Sequence, residues 1–278
     1  MNTTSLHPLI EESIINYDWA ATQFPDYFKN LSNLAPIVWF GALDNDLPKI
    51  ITFGSNPSDK EFLDNNHNLL TNPRFPNLHN HPVVVGAGSV NPMTALANYL
   101  EEDYNRYFDN RPYWSWFRPI HAFVEVHYSQ HLNISYPLPC IHVDALPFAT
   151  STKFTELKTD KQPVSANPHY RNFGDVLRWG ADFAGRLLNE IVSNNDVLGI
   201  VIVGRENLNQ FKAIFKNQIQ NHRKSPYNVN GRGYTVEKFD LCINNASIEV
   251  IGTSIYFPNS HLGHKLNYSH LSAAINTL

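Results

Sequence analysis

The sequence predicts an α/β fold, a three-layer sandwich with a central, mostly parallel sheet flanked by helices. Two observations carry this reading. Short apolar runs rich in β-branched residues recur along the chain, and Ile200 to Val203 has no polar alternation at all, the pattern of strands covered on both faces. Between these runs lie segments with apolar residues at helical spacing, and strands alternating with helices imply parallel pairing through crossovers.

An N-terminal helix over residues 5–24 is apolar at Leu9, Ile10, Ile14 and Trp19. Ile37 to Phe40 and Lys49 to Phe53 read as short strands around the turn segment Leu43 to Pro48, and Val83 to Val85 as a third. Asn91 followed by Pro92 is a cap with proline in the first turn, opening a helix to about Phe108. Trp114, Trp116 and Phe117 read as core beside a helix that follows Pro119, in preference to a stacking platform for single strands. Pro139 to Leu146, Leu198 to Val203 and Ser247 to Tyr256 supply further strands. Asp175 to Val192 places Val176, Leu177, Phe183, Ala184, Leu187, Leu188 and Ile191 on one helical face, and Leu208, Phe211, Phe215 and Ile219 repeat the pattern. Residues 153–173 and 222–233 read as long loops or insertions, so that the 278 residues form a single α/β domain.

A formal charge of -4 with a pI near 6.3 gives no global attraction for nucleic acid, although Lys212, Lys216, Arg223 and Lys224 offer a local basic stripe. Cys140 and Cys242 are the only cysteines, too few for a disulfide framework or an iron–sulfur cluster, and they point to a reducing compartment. Met1 to Ile10 has no basic head followed by an apolar stretch, and no apolar run approaches spanning length, so a cytoplasmic protein without membrane association is expected. His261 and His264 lack an accompanying carboxylate or thiolate set, and no metal is expected there. The absence of a Gly-x-Ser-x-Gly elbow weakens an acyl-transfer hydrolase. Gly86-Ala87-Gly88-Ser89, without the lysine and spacing of a P-loop, offers at most a backbone contact to phosphate.

Ligands of open α/β sheets gather beyond the carboxyl ends of the strands. Three segments there carry chemistry. Gly54-Ser55-Asn56-Pro57-Ser58 follows an apolar strand and brings an amide and hydroxyls into a tight turn. Asp144 sits at the end of a central strand, before Pro147-Phe148-Ala149-Thr150. Phe257-Pro258-Asn259-Ser260-His261 follows the last strand.

In these three places the chain resembles the uracil-DNA glycosylase superfamily. Gly54 to Ser58 matches that family's first loop in its asparagine form, Asp144 takes the place of the base reader, and Phe257 to His261 takes the place of the last loop, with Phe257 where the leading histidine stands. The resemblance implies hydrolysis of the N-glycosidic bond of a flipped damaged or deaminated base in DNA repair, by a monomer that uses no cofactor and has DNA as its partner. Asn56 and His261 would be catalytic, and Gly54, Ser55, Pro57, Ser58, Phe62, Phe75, Asp144, Asn259 and Ser260 would bind the substrate.

The residue types suit that reaction. Bond cleavage produces an oxocarbenium-like sugar and a departing base anion, so water must be aimed and the anion stabilised. The Asn56 amide is no strong base, but it accepts a hydrogen bond from water and orients it. His261 donates to a carbonyl oxygen that gains charge. Phe62 or Phe75 would stack on the flipped base, and Asp144 would read its edge, accepting from an NH if ionised and donating if protonated. The alternative is a non-catalytic nucleobase- or nucleic-acid-binding module that retains the fold.

Overall fold

The computed structural model describes residues 6–71, 74, 75, 78, 92–110, 112–132, 140–152, 154–157, 172–257 and 266–278. Its strands are β1 Lys49–Gly54, β2 Cys140–Asp144, β3 Val197–Val203, β4 Ile219–Val229, β5 Arg232–Ile243 and β6 Ala246–Thr253. Its longer helices are α1 His7–Gln23, α2 Pro92–Asn105, α3 Trp114–Leu132, α4 Phe173–Asn194, α5 Arg205–Ile214 and α6 Tyr268–Asn276. Contacts divide the chain into two compact units, Met1–Gly41 with Ser55–Pro112 and Asp144–Glu190, and Ala42–Gly54 with Tyr113–Val143 and Ile191–Leu278.

The second unit carries the sheet, in the order β2-β1-β3-β6-β5-β4. β1 pairs parallel with β3, and β3 with β6, so Gly54, Val203 and Thr253 end on the same edge. The burial expected of a strand covered on both sides is met in β1, buried at every position, and over the last five residues of β3. Ile120, Phe123 and Val124 of α3, with Leu271 and Ile275 of α6, cover the face made by Ile50, Val201, Val203 and Ile251. On the other face α5 lays Phe211 against Phe53 at 5.1 Å and Phe239 at 6.2 Å. α3 begins at Trp114, ahead of the start expected after Pro119, which lies inside it; Phe117 is core, while Trp114 is 37% exposed.

The other half of the sheet departs from expectation. Residues 222–233, expected as a loop, lie within a β-hairpin: β4 and β5 pair antiparallel, and β5 pairs antiparallel with β6. Asn230 and Gly231 sit between the paired residues Val229 and Arg232 with φ of 49° and 78°, the conformation that an Asn-Gly turn supplies. Asn244 and Asn245, with φ of 48° and 67°, close the next hairpin in the same way. Exposed, charged β4 has no apolar run to announce it, and Pro226 is tolerated because β4 is the edge strand.

In the first unit α1 packs on α2, and Glu12 of α1 holds Arg186 of α4 through bonds of 2.6 and 2.8 Å while accepting from the Trp179 indole at 2.8 Å. Ile37 to Phe40, expected as a strand, is a buried irregular segment. Its Ile37 amide donates to the Pro147 carbonyl at 2.8 Å and the Tyr104 hydroxyl to the Pro36 carbonyl at 2.7 Å, so the polar groups at the head of this run are met outside any strand, and Phe40 at its end forms a single β-bridge. Of residues 153–173, Phe154–Leu157 form one helical turn. The strand expected at Val83 to Val85 and the glycine-rich run Gly86 to Ser89 lie outside the described residues.

α4 approaches the segment after β2 at Gly180, where a Cβ would stand 2.8 Å from the Ala145 carbonyl oxygen and 2.9 Å from Leu146 Cδ1. An alanine in a helix interior is favoured over glycine by about 1 kcal/mol, whereas forcing a methyl against fixed backbone costs about 1–3 kcal/mol. Gly180→Ala should therefore lower the urea midpoint with an unchanged slope; a raised midpoint would show that the helix can retreat at no cost.

Candidate functional site

The apolar residues of β1 drive it into the core, and Gly54 ends it. In the first unit the loop that follows runs beside the segment after β2: the Leu146 amide donates to the Ser55 carbonyl at 3.0 Å. One step further, Asn56 Nδ2 donates to the Phe148 carbonyl and to Thr150 Oγ1, both at 3.3 Å, and to its neighbour's Pro57 carbonyl at 3.2 Å. Two of these partners are carbonyls, which only accept, so the nitrogen end of the amide must face them. Oδ1, an acceptor, takes no part in the three contacts. Asn56 is half-buried, and its carboxamide is thus oriented by main chain.

Phe148 is itself fixed. It is fully buried, with its ring 5.2 Å from Tyr17, 6.4 Å from Phe28 and stacked at 5.2 Å on Trp179. The carbonyl that orients Asn56 is therefore part of a packed aromatic cluster, so the local chain of cause runs from core packing to the direction of one amide.

Pro57 is buried, and Ser58 caps the short 3-10 turn Asp59–Glu61 by accepting from the Lys60 amide at 3.2 Å. That turn sends Glu61 inward, where it is 2% exposed. The Tyr107 hydroxyl lies 2.8 Å from Glu61 Oε1 and 2.9 Å from Oε2, and Arg74 Nε lies 3.7 Å from Oε2. Burial pushes the Glu61 carboxyl up to about 7, against the opposing influence of Arg74 and Tyr107, and the charge of Asp144 pushes the same way. Asp144, 4% exposed at the end of β2, is thus the second buried carboxyl group of this region.

Among the sequence candidates, Ser55, Asn56, Pro57 and Ser58 form one loop after Gly54 at the end of β1, and Asp144 belongs to the same unit as that loop. Phe62 and Phe75 also belong to that unit but present no free face: they are 0% and 1% exposed, their rings 6.0 Å apart, with Phe75 stacked on Tyr107 at 5.6 Å. Phe257 is core of the second unit, 5.4 Å from both Phe123 and Tyr268. Asn259, Ser260, His261 and His264 lie outside the described residues.

Glu61, Arg74 and Tyr107 were not among the sequence candidates. Ser58-Asp59-Lys60-Glu61 looks like a solvated turn, and its Ser-x-x-Glu spacing reads as a capping box in which the glutamate returns to backbone. The signal available was Phe62-Leu63 directly after it, an apolar pair that draws the end of the turn into the core. Two clefts, of about 320 and 300 Å³, open elsewhere in the first unit, beside Asn30, Asn33 and Asn68 and beside Ile14, Leu78 and Met93, and neither is walled by Asn56, Glu61 or Asp144. Among the described residues no helix is long and apolar enough to cross a membrane, and no three His, Cys, Asp or Glu side chains gather as metal ligands. Compared with protein-family models, curated proteins and solved structures, the chain matches none.

The buried glutamate has a measurable consequence. Folded Glu61 keeps its proton to about pH 7, whereas the unfolded chain releases it near the ordinary value of 4.5. Stability from this group is whole below pH 4.5 and declines up to pH 7, by as much as about 3 kcal/mol. Glu61→Gln does not titrate, so its stability relative to the parent, read from urea midpoints, should rise across that interval and level off above it. Parallel pH curves for the two proteins would contradict the assignment.

Proposed function

We propose that the chain is a DNA-glycosylase-like hydrolase that cleaves the N-glycosidic bond of a flipped damaged or deaminated base. The observation that carries this reading is the direction of the Asn56 carboxamide. Its nitrogen is committed to the Phe148 carbonyl, Thr150 Oγ1 and the Pro57 carbonyl, which reserves Oδ1 as an oriented acceptor for the attacking water. An amide suffices where the transition state is loose, because the demand is on positioning water more than on removing its proton. Asp144, buried at the end of β2, supplies the group that reads the base edge. Glu61 adds a proton-holding carboxyl near neutral pH in the same unit, a property suited to general acid–base chemistry.

One observation favours a second reading. Phe257, in the position of the family's leading histidine, is 1% exposed and packed on Phe123 and Tyr268, so that position serves the core. A protein that binds a nucleobase or an oligonucleotide without turnover fits this feature.

A base-release assay separates the two. Purified protein is offered single- and double-stranded oligonucleotides carrying uracil, hypoxanthine or xanthine. Release from at least one substrate is expected, with a loss of about 100-fold in Asn56→Ala, the scale of a misplaced reactant. No release from any of the panel, with affinity retained in Asn56→Ala, would establish the binding module instead.

A further inference from the structure

The chain is acidic overall, yet residues 205–238 hold seven Lys and Arg against two Glu, a surplus of five positive charges in a chain of net -4. Two of these lysines, with one histidine, meet at a single carboxylate of the second unit. Glu237 of β5 is 2% exposed, and two lysines and a histidine converge on it: Lys212 Nζ of α5 and His222 Nε2 of β4 reach Oε2 at 2.7 and 2.8 Å, and Lys224 Nζ of β4 reaches Oε1 at 3.3 Å. Burial works against ionisation of Glu237, but the hydrogen bonds from Lys212 and His222 and the charges of Lys212 and Lys224 outweigh it and hold the carboxyl below its ordinary range.

One cation neutralises one carboxylate, and here the two lysines alone exceed it. An ammonium group has three donors, so those not spent on Glu237 remain for a ligand; the Lys212 and Lys224 side chains are 25% and 54% exposed. Neighbouring acids are engaged elsewhere: Asp240 accepts from Asn221, and Glu249 pairs with Lys238 at 2.6 Å. Lys216, exposed four residues beyond Lys212, extends the positive surface. A sheet edge is commonly guarded by lysine, and β4 is the edge strand. Guarding explains neither the contribution of Lys212, which comes from a helix, nor the convergence of two lysines and a histidine on a single buried carboxylate.

We propose that Lys212, His222 and Lys224, held in place by Glu237, form a cradle for a backbone phosphate of nucleic acid. The partner class rests on the glycosylase-like reading, while the cradle rests on its own geometry. Phosphate contacts fix register without reading sequence, which suits a surface that offers charge and no exposed base-reading aromatic among these residues. Glu237 acts as a positioning residue that keeps flexible lysine stems in one arrangement before the ligand arrives.

The test uses the full chain and a fluorescein-labelled oligonucleotide, with anisotropy followed from 50 to 200 mM salt. Lys212→Gln/Lys224→Gln is compared with Arg205→Gln/Arg232→Gln, which removes equal charge from the same region outside the cradle, and melting curves confirm that both variants fold. The cradle variant should bind about ten-fold more weakly at 0.1 M salt and have a salt slope shallower by about 1, the change for one phosphate contact, while the control changes far less. Equal losses in the two variants would reduce the cradle to diffuse charge and overturn it, as would absence of oligonucleotide binding by the parent. Polyglutamate competing as well as unlabelled oligonucleotide would overturn it in favour of an acidic protein partner. Base release plays no part in this readout, so a protein that shows the cradle effect without releasing base sinks the glycosylase reading alone.

Discussion

One alignment in the first unit underlies the rest: the loop after β1 lies along the segment after β2, joined by the Leu146 amide to the Ser55 carbonyl and by the Asn56 amide to the Phe148 carbonyl. Neither bond is strong by itself, since a hydrogen bond exchanged for one with water nets about 1 kcal/mol. Their effect is directional. Phe148 cannot yield because Tyr17, Phe28 and Trp179 enclose its ring, and Gly180 lets α4 approach the same segment closely. Packing of apolar groups thus determines where a polar one points, and the proposed chemistry follows from that direction.

Two buried carboxyl groups near this loop pull the other way. Burying a carboxylate is costly unless it is paired, and Glu61 is only partly compensated, by the Tyr107 hydroxyl and by Arg74 at 3.7 Å. A fold optimised for stability alone would place an apolar side chain there. Glu237 in the second unit resolves the same problem differently, with two lysines and a histidine around it, and holds its carboxyl below the ordinary range where Glu61 is pushed above it. At Glu61 burial outweighs its partners, whereas at Glu237 the hydrogen bonds and charges of its basic neighbours outweigh burial.

Much of this was legible in the sequence because it is periodic. The β-branched runs of β1 and β3 and the amphipathic stripe of α4 follow from which faces must be buried, and the turn residues after β1 marked where the chain leaves the sheet. The β4–β5 hairpin escaped because its exposed edge needs no apolar run; the Asn230-Gly231 pair was the local sign, and its meaning lay in backbone conformation. Ile37 to Phe40 misled for the converse reason: four apolar residues report burial, and burial does not require a strand. The places of Asn56 just after β1 and of Asp144 at the end of β2 were readable from the strand pattern. The inward place of Glu61 was not, since only the fold of a capped turn carries it there, and proximity in sequence points to Phe62 and Phe75 as stackers although their rings are packed against neighbouring aromatics.

Main chain immobilises the Asn56 amide with its nitrogen inward. Hydrogen exchange of side-chain amides, followed by ¹⁵N-resolved NMR, reads that orientation without any substrate. The Asn56 Nδ2 protons should exchange at least about ten-fold more slowly than those of exposed Asn66. Equal rates for the two residues would mean that the amide turns freely, and the directional argument for water would be lost with it.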